Sequence, residues 1–98
     1  MTNEQHPHLF TVTDDSMSPR FRPGEKLVFD PSLHLDQEAD CVVRLKGGEA
    51  KVRTVFLRGQ GQIVLRCFDP QVEDEVHRLD DFALIAPVVR FYTLAGLS

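Results

Sequence analysis

Ser16 carries the clearest potential for chemistry in this sequence, because it stands in a turn-forming run, Ser16-Met17-Ser18-Pro19. A serine hydroxyl becomes a nucleophile only when a nearby base takes its proton. In a Ser-His-Asp triad that base is a histidine, and the usual substitute is a neutral, desolvated lysine. The function of Ser16 therefore depends on which base the fold brings to it.

The four histidines are poor partners for Ser16. They are His6 and His8 in the polar segment at the start of the chain, His34 in a loop region, and His77 in a strand-like segment with acidic neighbours. None has a spacing that links it to Ser16, so we expect all four to be surface residues.

Length and charge restrict the function classes. The chain has 98 residues and a formal net charge of -4, which corresponds to one domain with an acidic balance. An acidic chain is a poor general ligand for a phosphate backbone, so we expect any DNA contact to come from an absent amino-terminal domain. A small β-barrel that binds nucleic acid is a weaker alternative, since the chain has one Tyr and no Trp for base stacking.

The cysteines and the apolar runs favour a soluble protein of a reducing compartment. Cys41 and Cys67 lie in apolar segments without CxxC spacing, which predicts buried free thiols. The acidic clusters match no calcium-loop pattern, so we expect no metal and no cofactor. The longest apolar run is broken by Pro87 and Arg90, and the amino end has no signal-peptide pattern. We therefore expect a cytoplasmic protein without membrane contact.

Closely spaced turn signals predict a mainly β fold, a small barrel-like sheet assembly. Residues 1–8 are polar and are expected to form a flexible lead-in or linker remnant, and residues 9–98 the domain. A helical turn is conceivable only over Ser32–Ala39. The predicted strands are the segments rich in β-branched or aromatic residues, namely LFTVT, EKLVFD, DCVVRLK, EAKVRTVFLR, QIVLRCF, VEDEVHRL and FALIAPVVRFYTL. The fourth and fifth should form a hairpin across Gly59-Gln60-Gly61.

The last predicted strand is apolar on both faces, whereas a half-exposed strand should alternate with polar residues. Two explanations remain open. The strand is central and buried within one domain, or one of its faces meets a partner subunit. In the second case the expected interface consists of Val88, Val89, Arg90, Phe91 and Tyr92.

The order of these segments resembles the LexA-like peptidase family, which includes self-cleaving SOS and phage repressors and UmuD. The resemblance rests on SMSP followed by RPGEKLVFDP, CVVRLKGGEAKVRTV and RGQGQIVLRCFDP, and it covers Phe10–Leu94. It implies a mainly β domain that forms dimers and uses a Ser-Lys dyad to cut its own linker.

The resemblance places the nucleophile at Ser16, where Asp14-Asp15 stands in place of the family's Gly-Asp. The lysine of the family follows a Gly-Glu turn in a pattern such as GExxxK, and that position is Arg53 here. A guanidinium remains protonated and cannot accept the serine proton. We therefore expect a vestigial site made of Ser16 and Arg53.

Lys51 is the alternative base. Residues two apart in a strand point to the same face, so Lys51 shares a side of its strand with Arg53. The displacement along the strand is about 6.6 Å, which a long side chain covers only by leaving the fixed, buried setting that a neutral lysine needs. The family's scissile Ala-Gly precedes the serine, whereas the Ala-Gly of this chain, Ala95-Gly96, follows it.

These features give two functional hypotheses. The first is the carboxy-terminal domain of a phage or prophage transcriptional repressor, a homodimer or higher homo-oligomer that supports cooperative operator binding by an absent amino-terminal domain. Its release would then require something other than self-cleavage, for example an antirepressor protein. The second is an active self-cleaving serine peptidase with a Ser16-Lys51 dyad.

Overall fold

The computed structural model describes residues 8–92; the predicted lead-in before His8 and Ala95-Gly96 lie outside the described residues. The described part contains seven strands and one short 3-10 helix. The strands are β1 (His8–Thr11), β2 (Lys26–Phe29), β3 (Glu38–Leu45), β4 (Lys51–Leu57), β5 (Gln62–Arg66), β6 (Glu75–Arg78) and β7 (Phe82–Tyr92), and the 3-10 helix spans Leu79–Asp81.

The strands form one antiparallel sheet in the order β1-β2-β7-β3-β4-β5-β6. The predicted mainly β class is confirmed, and each of the seven predicted segments overlaps one strand. Ser32–Ala39 forms no helical turn, because Glu38 already opens β3. Strand β1 begins at His8, one residue before the predicted start of the domain, where it pairs with Phe29.

The predicted hairpin joins β4 and β5. Gly59, Gln60 and Gly61 all have positive φ angles, of 80°, 54° and 77°. Glycine adopts this region without steric cost, which is why the two glycines flank the reversal. The amide of Gln62 donates to the carbonyl of Gly59 at 3.0 Å and closes the turn.

The sheet buries apolar side chains on both faces. Val42 and Val52 belong to one core cluster, whereas Cys41, Val43 and Val55 belong to a second. Since successive residues of a strand point to opposite faces, the consecutive buried residues of β3 show that both of its faces are covered. Both central strands, β3 and β4, are therefore held in place from two sides.

Strand β7 lies between β2 and β3 and pairs with both. Ala86 belongs to the first core cluster and Phe82 to the second, so the first half of the strand is apolar on both faces because both faces are buried within the domain. Further along, Val89 is 49% exposed. The side chains of Arg90, Phe91 and Tyr92 lie outside the described part of the structure, although their backbone pairs with β2.

Cys41 and Cys67 are both buried free thiols. Burial raises the pKa of the Cys41 thiol to about 12, with the charge of Asp40 as the second cause. At neutral pH this thiol is protonated and is a poor nucleophile. Within residues 8–92, no helix is long and apolar enough to span a membrane.

Leu27→Ala should destabilise the domain by about 2–5 kcal/mol, the usual cost of removing a buried leucine side chain. Leu27 is fully buried in the first core cluster, whereas Leu9 on the neighbouring strand is 63% exposed. The matched variant Leu9→Ala should therefore change the free energy of unfolding by less than about 0.5 kcal/mol. Urea unfolding followed by circular dichroism measures both, and equal effects would contradict the assigned core.

Candidate functional site

The loop that carries Ser16 connects β1 to β2 and is closed at its base by backbone hydrogen bonds. The amide of Val12 donates to the carbonyl of Glu25 at 2.9 Å, and the amide of Gly24 donates to the carbonyl of Val12 at 2.8 Å. Within the loop, Met17 and Phe21 are buried in the first core cluster. Burial of these two side chains fixes the loop in place. Ser16, which directly precedes Met17 in the sequence, is therefore held in a defined position.

Two further contacts fasten the loop to the rest of the sheet. The carbonyl of Ser16 accepts a hydrogen bond from the amide of Phe68 at 2.9 Å. The guanidinium of Arg20 forms an ion pair with Asp40 of β3 and lies over the Phe68 ring, 5.0 Å from its centroid. Asp40 also accepts a hydrogen bond from the buried Thr54 hydroxyl of β4 at 2.8 Å. The loop is therefore tied to both central strands.

Arg53 of β4 contacts the serine directly. Its Nη1 atom donates to Ser16 Oγ at 2.8 Å and to its neighbour's backbone carbonyl, that of Val52, at 2.7 Å. Arg53 is half-buried and lies in the middle of a strand that is paired on both sides. A residue held in this way presents its guanidinium to Ser16 in a defined orientation.

Asp14 completes the surroundings of the hydroxyl. Its Oδ1 atom accepts from the Ser16 hydroxyl at 2.8 Å and from the Ser16 amide at 3.2 Å. The hydrogen bond from the Ser16 side chain lowers the pKa of Asp14 below its ordinary value of 3.8, with the Ser16 amide and the charges of Arg53 and Lys51 acting in the same direction, against partial burial. Asp14 is thus an ionised carboxylate at neutral pH.

This arrangement does not contain the base that an activated serine requires. Arg53 donates to Ser16 Oγ, and a guanidinium has no lone pair with which to take a proton. Asp14 does accept the hydroxyl hydrogen, but its lowered pKa makes it a weak base, far from the value near neutrality that suits general base catalysis. The hydroxyl is held between a fixed cation and a fixed anion.

Lys51 faces a different partner. Its Nζ atom donates to Glu75 at 3.2 Å and 3.4 Å, and Glu75 also meets His77 Nε2 at 2.9 Å. The hydrogen bond from His77 lowers the pKa of Glu75, and the contacts with Lys51 lower it further, against partial burial. The described hydrogen bonds of Lys51 and His77 therefore lead to Glu75 on β6 and not to Ser16.

The structure brings together Ser16 and Arg53 of the predicted site residues and places Lys51 beside Glu75. Sequence reasoning gave no role to Asp14, although an Asp two residues before a Ser is a recognisable turn pattern. It also gave no role to Glu75, and its spacing of 24 residues from Lys51 carries no sequence signal. Among the described residues, no group of His, Cys, Asp or Glu is placed to hold a metal ion.

Comparison with known protein families identifies the family of this chain. The family model described as Peptidase S24-like matches residues 1–89, and the chain therefore belongs to that family. This is the family to which the LexA-like resemblance pointed. No curated protein sequence matches the chain.

The pKa of Asp14 should rise towards its ordinary value of 3.8 in Ser16→Ala, because the largest cause of its lowering is the serine hydroxyl. Because the pKa of Asp14 is lower in the folded chain than in the unfolded one, Asp14 contributes its full stabilisation above the unfolded pKa. This contribution is lost as the pH falls through the lower pKa of the folded state. Carboxyl carbon shifts measured by NMR between pH 2 and 6 report the pKa.

The matched control is a second turn of the same kind. Ser32 donates its hydroxyl to Asp30 at 2.7 Å, and this bond likewise lowers the pKa of Asp30. Ser32→Ala should raise the pKa of Asp30 and leave that of Asp14 unchanged. If Ser16→Ala leaves the pKa of Asp14 where it is in the wild type, the assigned hydrogen bond is wrong.

Proposed function

We propose that this chain is a non-cleaving Peptidase S24-like domain that serves as the carboxy-terminal oligomerisation domain of a phage or prophage transcriptional repressor. The observation that carries the proposal is the hydrogen bond from Arg53 to Ser16 Oγ. It places a permanent cation where a Ser-Lys peptidase requires a neutral amine, so the domain acts by binding.

Two features support an assembly role. The central part of β7 lies between β2 and β3, whereas Val89, nearer the carboxyl end of the strand, is 49% exposed and offers apolar surface that a partner subunit would cover. Val88 lies next to it and is half-buried. Together with Arg90, Phe91 and Tyr92, these residues form the proposed contact between subunits. The contact lies on β7, which is held in the sheet by its pairing with β2 and β3.

The benefit of assembly follows from effective concentration. Two subunits joined through this domain would hold two amino-terminal DNA-binding domains together. Once the first DNA-binding domain binds its half-site, the concentration of the second one near the other half-site is raised. The net charge of -4 agrees with this division of labour, since the acidic chain itself is unsuited to phosphate contacts.

Release of such a repressor requires a route other than self-cleavage. An antirepressor protein that binds this domain would supply it, in the cytoplasm where the operator lies. Cleavage of the natural full-length protein during the SOS response would contradict this part of the proposal.

The second candidate function, self-cleavage by a Ser16-Lys51 dyad, has one observation in its favour. Lys51 stands two residues before Arg53 on β4, and alternation places both on the same face of the strand. Against it, the Nζ atom of Lys51 donates to Glu75. An ammonium with its hydrogens directed at a carboxylate offers no lone pair to Ser16.

Wild-type protein expressed from the natural reading frame, with any residues that precede this chain, should keep its intact mass over many hours between pH 7 and 10. The reason is that a guanidinium keeps its proton throughout this range, so Arg53 does not become a base for Ser16 at any pH tested. Mass spectrometry of wild type and Ser16→Ala side by side makes the comparison. A fragment that appears in the wild type and not in Ser16→Ala would establish the peptidase alternative.

Val89→Glu should convert the proposed dimer into a folded monomer and weaken association by at least about tenfold, or about 1.4 kcal/mol, because a carboxylate would be buried between subunits. Val76, which is 61% exposed on β6, provides the matched control. Val76→Glu should remain a dimer. Light scattering gives the mass and circular dichroism the fold. A wild-type monomer, or a Val89→Glu dimer, would refute this interface.

A further inference from the structure

We propose that Asp14 is a second lock on Ser16, independent of Arg53. An amine introduced in place of the guanidinium would remain charged beside the Asp14 carboxylate, so that Arg53→Lys alone leaves Ser16 inert, whereas removing the Asp14 charge as well activates it. This inference rests on the non-cleaving function proposed above, and it assigns Asp14 as a positioning residue that acts through Ser16 and position 53.

The first part of the lock is the direction of the hydroxyl hydrogen. Ser16 Oγ accepts from Arg53 Nη1 at 2.8 Å and donates to Asp14 Oδ1 at 2.8 Å. In a serine dyad the hydrogen must point at the base that will take it. Here the hydrogen points at Asp14, and towards position 53 the serine oxygen acts as an acceptor.

The second part of the lock is the charge of the carboxylate. Asp14 is an exposed carboxylate that interacts electrostatically with both Arg53 and Lys51. A nearby opposite charge stabilises a protonated amine and commonly shifts a pKa by about 1–3 units in that direction. A catalytic lysine needs the opposite shift, so an amine at position 53 would lie in the wrong electrostatic surroundings.

The turn at Asp30 shows that local turn chemistry alone does not make such a lock. Asp30 Oδ1 accepts from the Ser32 amide at 2.9 Å and from the Ser32 hydroxyl at 2.7 Å, as Asp14 does from Ser16. The described contacts of Ser32 include no guanidinium, whereas Arg53 reaches Ser16. The hydrogen bond within the turn is therefore ordinary, and its chemical consequence comes from the cation on the same oxygen.

Ser16 reactivity can be measured without knowing a substrate, by using a fluorophosphonate as the probe. In the reaction, Ser16 Oγ attacks phosphorus, the O–P bond forms, the P–F bond breaks and fluoride leaves. The hydroxyl proton passes to the lysine amine introduced at position 53 and from there to water. Intact mass gives the extent of labelling, and Ser16→Ala in the same background assigns it to this serine.

The experiment compares five proteins in the full chain: wild type, Arg53→Lys, Asp14→Asn, and Arg53→Lys combined with either Asp14→Asn or Asp15→Asn. We expect the Arg53→Lys, Asp14→Asn double variant to be labelled at least tenfold faster than each of the other four proteins. Asp15→Asn removes the adjacent exposed charge and serves as the matched control, because the described contact of Asp15 is made by its backbone carbonyl with the Ser18 amide. A further double variant carries Asp14→Ala in place of Asp14→Asn, because an asparagine side-chain oxygen still accepts the serine hydrogen, whereas alanine removes both the charge and the acceptor.

The pH profile separates an electrostatic role from a structural one. Labelling of the Arg53→Lys, Asp14→Asn variant should rise with pH and level off below the ordinary lysine pKa of about 10.4, as the amine loses its proton.

The outcomes separate the two proposals. If Arg53→Lys alone is labelled as fast as the Arg53→Lys, Asp14→Asn variant, the Asp14 lock is wrong and the proposed function stands. Labelling of the wild type would overturn the proposed function itself. Absence of labelling in the double variants that change Asp14, with the wild-type circular dichroism spectrum retained, would also refute the lock.

Discussion

The hydrogen bond between the Arg53 guanidinium and Ser16 Oγ is the interaction on which the reading of this domain depends. It joins a loop to the middle of the sheet across 37 residues of sequence. Both ends are held firmly, Ser16 because its neighbour Met17 is buried in the core, and Arg53 because β4 is paired on both sides. The position of both side chains is therefore set by the packing of the fold.

Each cation on this face of β4 is matched by a carboxylate. Asp14 shares the Ser16 hydroxyl with Arg53, and Glu75 receives Lys51 together with His77. The pKa of each carboxylate is lowered, because each accepts hydrogen bonds and lies near positive charges that favour its ionised form. A peptidase site would instead leave one amine unpaired and desolvated. The pairing of these cations with carboxylates thus supports the proposed non-cleaving domain.

Much of the fold could be predicted from the sequence. The strands follow from β-branched segments bounded by turn residues, and the hairpin at Gly59 follows from the need for positive φ. The position of Arg53 followed from the order of motifs. The roles of Asp14 and of Glu75 could not be predicted, because they depend on side-chain directions and on pairing across three strands. Burial of Ala86 and Phe82 in the two core clusters explains the apolar first half of β7, whereas the subunit contact from Val88 onward stays a prediction.

Neutron diffraction from crystals of the wild-type protein locates the exchangeable hydrogens around Ser16 Oγ and so reports which group accepts the serine hydrogen. We expect a fully protonated Arg53 guanidinium with one N–D bond directed at Ser16 Oγ, and the serine deuterium directed at Asp14. An Arg53 side chain turned away, with an uncharged Lys51 amine accepting the Ser16 deuterium, would contradict this expectation.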